Sequence, residues 1–284
     1  MTDTIFLVVI FAALLHAVWN ALVKGSQDKH LAMMGVSLGD LPIKFALLFF
    51  VPLPDLSLLP WLLASVVLHL GYNLFLVTSY RLGDLTQVYP IARGSAPLLV
   101  LIVSVFFLGE ISSTGQAMGA AIIAIGIISL AFVQNQSANY DFRAVAAALI
   151  TGCFIASYSL VDGMGARAAP TAIGFWLWAA IGNSIAFSLW AAVFRRDLFG
   201  KFFGDKRAIG TGIFAGSASF VAYAIVVWAF TQAPIAIVTA LRETSIIFAL
   251  LIGVGLMGER LSLLKVMSTM ITLGGALLLR LARF

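Results

Sequence analysis

Ten runs of about twenty apolar residues, at 4–23, 31–51, 58–80, 86–108, 113–133, 144–161, 172–194, 208–230, 235–257 and 262–281, fill this 284-residue chain. Nothing else in the sequence limits the fold as strongly. A backbone surrounded by hydrocarbon must satisfy its own amides and carbonyls, so runs of this length can only be helices. Hydrophobic residues make up 62% of the chain and charged residues 10%, against ~25% charged in an ordinary soluble domain. A water-soluble fold is excluded. Ten crossings use roughly 200 positions and leave about 84 for the ends and nine connections, too few for a separate folded domain. The expected fold class is an all-α integral membrane protein with ten transmembrane helices.

The formal charge of +5 does not point to nucleic acid, because the basic residues sit at the ends of the runs and do not cluster on a soluble module. They do report orientation. Eleven lie in the odd-numbered connections and three in the even-numbered ones and the termini, which puts the odd connections in the cytoplasm. Five of the eleven fall in residues 195–207, where they are suited to anchoring at anionic headgroups. The first run follows Met1-Thr2-Asp3-Thr4 with no basic segment and no cleavage signature, so it is expected as a membrane helix and not a signal peptide. The single cysteine, Cys153, excludes an internal disulfide and a Cys-pair metal site, and is expected to be a small buried hydrophobe. No metal or cofactor is called for.

Sliding the chain by 149 positions lays Arg93 on Arg242, Gly109-Glu110 on Gly258-Glu259 and Gly126 on Gly275, with ten identities in the 38 columns that start at Arg93. The chain therefore divides into two five-helix halves, 1–134 and 144–284, joined by a loop at 135–143. Five is odd, so the second half enters the bilayer from the opposite side. That is the inverted-topology plan of many secondary transporters, with a central cavity between the halves.

His16-Ala17-Val18-Trp19-Asn20, Tyr89-Pro90-Ile91-Ala92-Arg93-Gly94-Ser95-Ala96-Pro97, the Leu108-Gly109-Glu110 that follows, and the partner Gly258-Glu259 resemble the ten-helix EamA-type exporters of the drug/metabolite transporter superfamily. The resemblance implies a basket of ten helices around a central cavity, exporting small metabolites across a bacterial inner membrane. Among its members the aromatic amino-acid exporters are the most similar. The small four-helix members would call for a glutamate in the middle of the first helix to couple protons to cationic drugs. This chain has no acid there.

Polar residues inside these runs are expensive and become candidates for a site. His69, Tyr72, Asn73 and Tyr80 form one stripe on the third run. His16 and Asn20 share a face of the first, with Trp19 adjoining. Trp176 and Asn183 lie together on the seventh, and Ser219 and Tyr223 on the eighth. Rings mixed with amides and imidazoles suit a ligand with an aromatic body and polar ends, and each residue can equally serve helix-to-helix hydrogen bonding. Tyr89 and Arg93 on the fourth run and Arg242 and Glu243 on the ninth complete the substrate-binding set. The two arginines either clamp a carboxylate or phosphate or bond helices internally. Glu243 adjoins Arg242 at a spacing where helical side chains do not meet, which leaves it for a substrate amine or a coupling proton. Asp40 and Lys44, at i, i+4 around Pro42, read as an internal ion pair at a kink, with a proton relay as the alternative. Glu110 and Glu259 stand where a helix begins and are structural. Pro90 and Pro97 should bend the fourth helix. The Gly35/Gly39, Gly115/Gly119 and Gly212/Gly216 spacings read as close packing.

The function expected is secondary export of small amphipathic metabolites, foremost amino acids including aromatic ones. A rival substrate class is phosphorylated metabolites or nucleotide sugars. An integral-membrane enzyme is the reading of another class, and neither His-Glu-x-x-His nor Gly-x-Ser-x-Gly occurs to support it. The partners expected are a small-molecule substrate and the lipid bilayer, without nucleic acid, and a monomer is the simplest assembly.

Overall fold

Side-chain oxygens mark where the helices start. Thr2, Asp28, Thr171 and Asp205 each accept a backbone N–H from the first turn that follows, which satisfies donors the helix cannot. The computed structural model describes residues 2–82, 85–110, 113–133, 142–257 and 263–282. Its helices are α1 (Asp3–Gly25), α2 (Lys29–Gly39), α3 (Leu41–Leu48), α4 (Leu59–Leu82), α5 (Leu85–Val103), α6 (Thr114–Val133), α7 (Phe142–Ala168), α8 (Ala172–Phe194), α9 (Asp197–Gly204), α10 (Lys206–Phe230), α11 (Ile235–Arg242), α12 (Ser245–Met257) and α13 (Leu263–Leu281). The described residues contain no strand. Among the described residues, eight stretches are long and apolar enough to cross a bilayer, and there are two shorter apolar helices, Thr114–Ser129 and Val266–Leu281. Large apolar side chains such as Phe45, Leu63, Phe106, Leu189 and Leu251 point outward, as they do when the surrounding solvent is lipid. This is a multi-pass membrane protein.

Several local features depart from the sequence expectations. The second run breaks at Asp40, between α2 and α3, with Pro42 in the first turn of α3, so a residue without an N–H sits where none is needed. Pro90 and Pro97 lie inside α5, which continues as one helix through both, each removing a single bond of its ladder. α5 runs on into a π-helical turn, Ser104–Leu108, closed by Gly109 at φ 62, the left-handed conformation that glycine adopts without strain. The sixth run does not stop at 161: α7 continues to Ala168, with Asp162 buried and bonded to Tyr223 and Arg167 exposed near the helix end. The ninth run breaks at Glu243 and Thr244, separating α11 from α12. Residues 195–207 are not an open loop but hold α9, with Leu198 and Phe202 buried. Arg195 and Lys201 bond Asp197 there and reach Asp28, and their hydrogen bonds hold the Asp197 carboxyl below the usual carboxylate range. Those charges are thus partly engaged within the protein. Cys153 is exposed on the outer face of α7, which corrects the expectation that it is buried.

Packing pairs the helices in a regular way. α4 lies on α7 and α8, α10 lies on α1 and α2, α5 lies on α7, α12 lies on α1, and α6 lies on α13. Glycines allow the closest of these approaches. A methyl group at Gly39 would overlap the Gly212 carbonyl where α2 crosses α10, and methyls at Gly126 and Gly275 would press into the α6–α13 contact. At the centre, all eight residues of α11 are buried.

Candidate functional site

The bundle holds a half-open cavity of about 120 Å³, room for on the order of ten waters. α1 contributes His16 and Trp19, α4 His69, Tyr72 and Asn73, α8 Trp176 and Asn183, α10 Ser219 and Tyr223, and α11 Arg242. α7 adds Tyr158, and Asp40, Lys44 and Ser184 form a polar corner. Side chains that the sequence places on separate helices thus share one wall.

Aromatic rings dominate that wall. His69 stacks on Tyr158 at 4.1 Å between ring centres and meets Tyr223 edge-on at 5.6 Å. Tyr223 meets Trp176 edge-on at 4.6 Å, and Trp176 Nε1 donates to the Phe220 carbonyl at 3.1 Å. The Arg242 guanidinium lies 5.9 Å from the Tyr158 ring and 5.7 Å from the Tyr223 ring, within cation–π range. Trp19 Nε1 and Asn183 Oδ1 are buried and find no hydrogen-bond partner among the described residues. A donor and an acceptor are therefore open to whatever fills the cavity.

Arg93 and Glu243 do not line the cavity. Arg93 Nε stands 2.6 Å from Glu243 Oε2, and Arg242 Nη2 stands 3.2 Å from Glu243 Oε1. The sequence spacing had excluded an Arg242–Glu243 contact. It forms because the chain leaves the helix at Glu243, and a turn lets neighbouring side chains converge where a helix fans them apart. One carboxylate thus serves two guanidinium groups, with a net charge of about +1 beside the cavity. Glu243 is already engaged, which removes it as a free partner for a substrate amine.

Asn20 is also outside the wall, its amide donating to the His16 carbonyl at 2.8 Å. The side chain of Tyr89 lies outside the described residues, as do Gly258 and Glu259. Asp40 Oδ1 and Lys44 Nζ pair at 2.7 Å, as their spacing predicts, and Lys44 Nζ also donates to Ala180 O at 2.9 Å and Ser184 Oγ at 2.6 Å. Glu110 sits away from the cavity: Oε2 accepts the Ile235 N–H at 3.0 Å, and Oε1 pairs with Arg167. Arg167 in turn donates to the Phe230 and Ala233 carbonyls, tying the end of α7 to the α10–α11 turn.

Sequence reasoning missed Asp162. It is fully buried on α7, where Oδ2 accepts the Tyr223 hydroxyl at 2.8 Å and lies 3.7 Å from His69 Nε2. The available signal was its spacing of four from Tyr158, which puts both on one helix face, but the run was ended one residue too early.

A polar, aromatic cavity inside a lipid-facing helical bundle defines a multi-pass membrane protein with room for a small molecule at its centre. Residues 142–281 match the model of the EamA-like transporter family, so the second half of the chain is similar to membrane transporters. A solved structure described only as the crystal structure of a protein superposes with a TM-score of 0.75 at 17% identity, covering 100% of both chains, and shares the fold. No curated protein matches the chain.

Proposed function

We propose that this protein is a ten-helix secondary transporter of the drug/metabolite transporter superfamily that exports small metabolites, foremost amino acids including aromatic ones, by alternating access. The observation that carries the reading is the wall where Trp176, Tyr158, Tyr223 and His69 meet under the Arg242 guanidinium. An aromatic amino acid would stack its ring there, set its carboxylate toward Arg242, and use Trp19 Nε1 and Asn183 Oδ1 for its polar end. Glu243 offsets one of the two arginines, and a net charge of about +1 fits a carboxylate better than a phosphate dianion. Phosphorylated metabolites and nucleotide sugars are the weaker substrate class for that reason.

Two inverted halves are supported by the packing. Under the 149-residue offset, α1 corresponds to α7, α4 to α10 and α5 to α11–α12. The α4–α7, α4–α8 and α5–α7 contacts then exchange with α10–α1, α10–α2 and α12–α1. Such halves rocking about a shared cavity give alternating access. The setting is a bacterial inner membrane, with the odd-numbered connections cytoplasmic and the protein acting as a monomer.

The test is a competition assay in proteoliposomes with labelled phenylalanine, tryptophan, threonine and alanine, and with sugar phosphates as competitors. Trp176→Ala and Trp19→Ala should weaken phenylalanine and tryptophan transport several-fold and alter threonine and alanine transport much less, since an aromatic pair contributes ~0.5–1.5 kcal/mol. Arg242→Gln should impair every carboxylate substrate alike. Equal losses for aromatic and aliphatic substrates in both Trp variants would overturn the aromatic site, and inhibition by sugar phosphates alone would select the other substrate class.

A further inference from the structure

His69 and Asp162 stand in an arrangement that is short of a hydrogen unless the pair carries an extra proton. His69 Nδ1 lies 3.0 Å from the Ser65 carbonyl oxygen. A carbonyl only accepts, so Nδ1 carries the hydrogen of the neutral ring. The Ser65 hydroxyl, at 3.4 Å from the same nitrogen, is the longer contact. Nε2 is then left as an acceptor, yet it faces Asp162 Oδ2 at 3.7 Å. Two acceptors facing each other in a buried site repel. One further proton removes the conflict, either on Nε2 as an imidazolium–carboxylate pair or on the carboxyl as an acid facing a neutral ring.

The surroundings favour such a site. Asp162 has no exposed surface, while the His69 side chain keeps 12% of its own and lines the cavity, so protons reach the pair through the imidazole. Tyr223 on α10 donates to the carboxylate, Tyr158 on α7 stacks on the imidazole, Ser65 stands beside both, and Arg242 on α11 is the cation that bears on them. Arg242 is itself engaged by Glu243. Asp162 is therefore not held permanently in an ion pair with an arginine, as Glu243 is.

We propose that His69 and Asp162 together bind one exchangeable proton at the cavity wall, making the proton a second ligand of this transporter, released to cavity water when the organic substrate enters. The exchange with substrate rests on the transport reading above; the proton site does not. Release leaves a neutral His69 and an ionised Asp162, and rebinding from the other side of the membrane restores the pair.

The proton site is tested without substrate, by ¹⁵N NMR of the full chain labelled at its three histidines, with His69→Gln identifying the His69 signals. The His69 nitrogens of the wild type should report the loss of one proton from the pair as pH rises, and Asp162→Asn should lower that titration by about one pH unit or more. Tyr223→Phe, which removes only a hydrogen bond to the carboxylate, should move it the opposite way and serves if Asp162→Asn folds poorly. A His69 titration unchanged by both substitutions overturns the site. Coupling is tested in proteoliposomes by comparing phenylalanine flux under an imposed proton gradient with counterflow at equal pH. The ratio should exceed unity in the wild type and fall toward unity in Asp162→Asn, and a wild-type flux indifferent to the gradient overturns coupling. If no amino acid is carried at all, the substrate reading falls while the NMR result still decides the proton site.

Discussion

Arg93 of α5 and Glu243 at the α11–α12 break are joined across the bundle by a 2.6 Å ion pair, and the same carboxylate holds Arg242. The 149-residue offset that lays Arg93 on Arg242 lays Gly94 on Glu243. The offset therefore repeats the arginine but not the acid. At the equivalent point Gly94 lies so close to Ala124 and Ile128 of α6 that a side chain there would have to displace them.

Removing that single acid should expose the cost of two buried cations. Glu243→Gln removes the carboxylate that the two guanidinium groups share, and breaking a buried pair typically costs ~3–5 kcal/mol. Thermal unfolding of the purified protein should show a large drop in Tm, and a smaller one for Arg93→Met, where Arg242 still neutralises Glu243. An unchanged Tm for Glu243→Gln would mean that the carboxylate is not the shared counter-ion.

Glu110 should matter for folding more than for turnover. Glu110→Ala removes the acceptor for the first amide of α11, comparable to losing an N-cap at ~0.5–2 kcal/mol, whereas its ion pair with the partly exposed Arg167 adds little. Glu110→Gln keeps an acceptor and should lose less. Folded yield by size-exclusion chromatography should follow that order with flux per folded molecule nearly constant; normal yield with abolished flux would instead place Glu110 in the transport cycle.

Gly39→Ala should destabilise the protein, because the added methyl meets the Gly212 backbone where α2 crosses α10 and overpacking of this kind costs ~1–3 kcal/mol. Gly200→Ala is the control. That position in α9 has open space around it, so removing a helical glycine should be neutral or stabilising by up to ~1 kcal/mol. Equal unfolding temperatures for the two variants would show that the α2–α10 crossing is looser than this contact requires.

A cysteine at Gly204, at the exposed end of α9, should react with a membrane-impermeant maleimide only after cells are permeabilised. The background should carry Cys153→Ala, because the native thiol is itself exposed. Labelling from outside intact cells would invert the orientation.

What could be read from the sequence was whatever lies within one helix. The Asp40–Lys44 pair follows from a four-residue spacing. Glu110 reads from the sequence as capping the helix that follows it in the chain, whereas packing brings it to the first amide of α11, 125 residues away. The stripe of His69, Tyr72 and Asn73 followed from periodicity. Asp162 was missed because the run was ended at 161, one residue before it and seven short of the end of α7, and the break after Arg242 was hidden inside an apolar run with no proline or glycine at the break itself.

The apolar runs by themselves determined that this chain lives in a membrane as helices, because an unpaired backbone has no solvent there. The offset by itself gives the expectation of two related halves, on which the proposed function rests. The sequence could not say which helix face meets which. In a soluble helix a polar face marks the outside, but here lipid and protein interior are both apolar and nearly every face reads alike. Close glycine contacts such as Gly39 on Gly212, formed between segments far apart in the chain, set those faces. Only that packing brought Arg93 to Glu243 and His69 to Asp162, pairs whose members no local spacing connects.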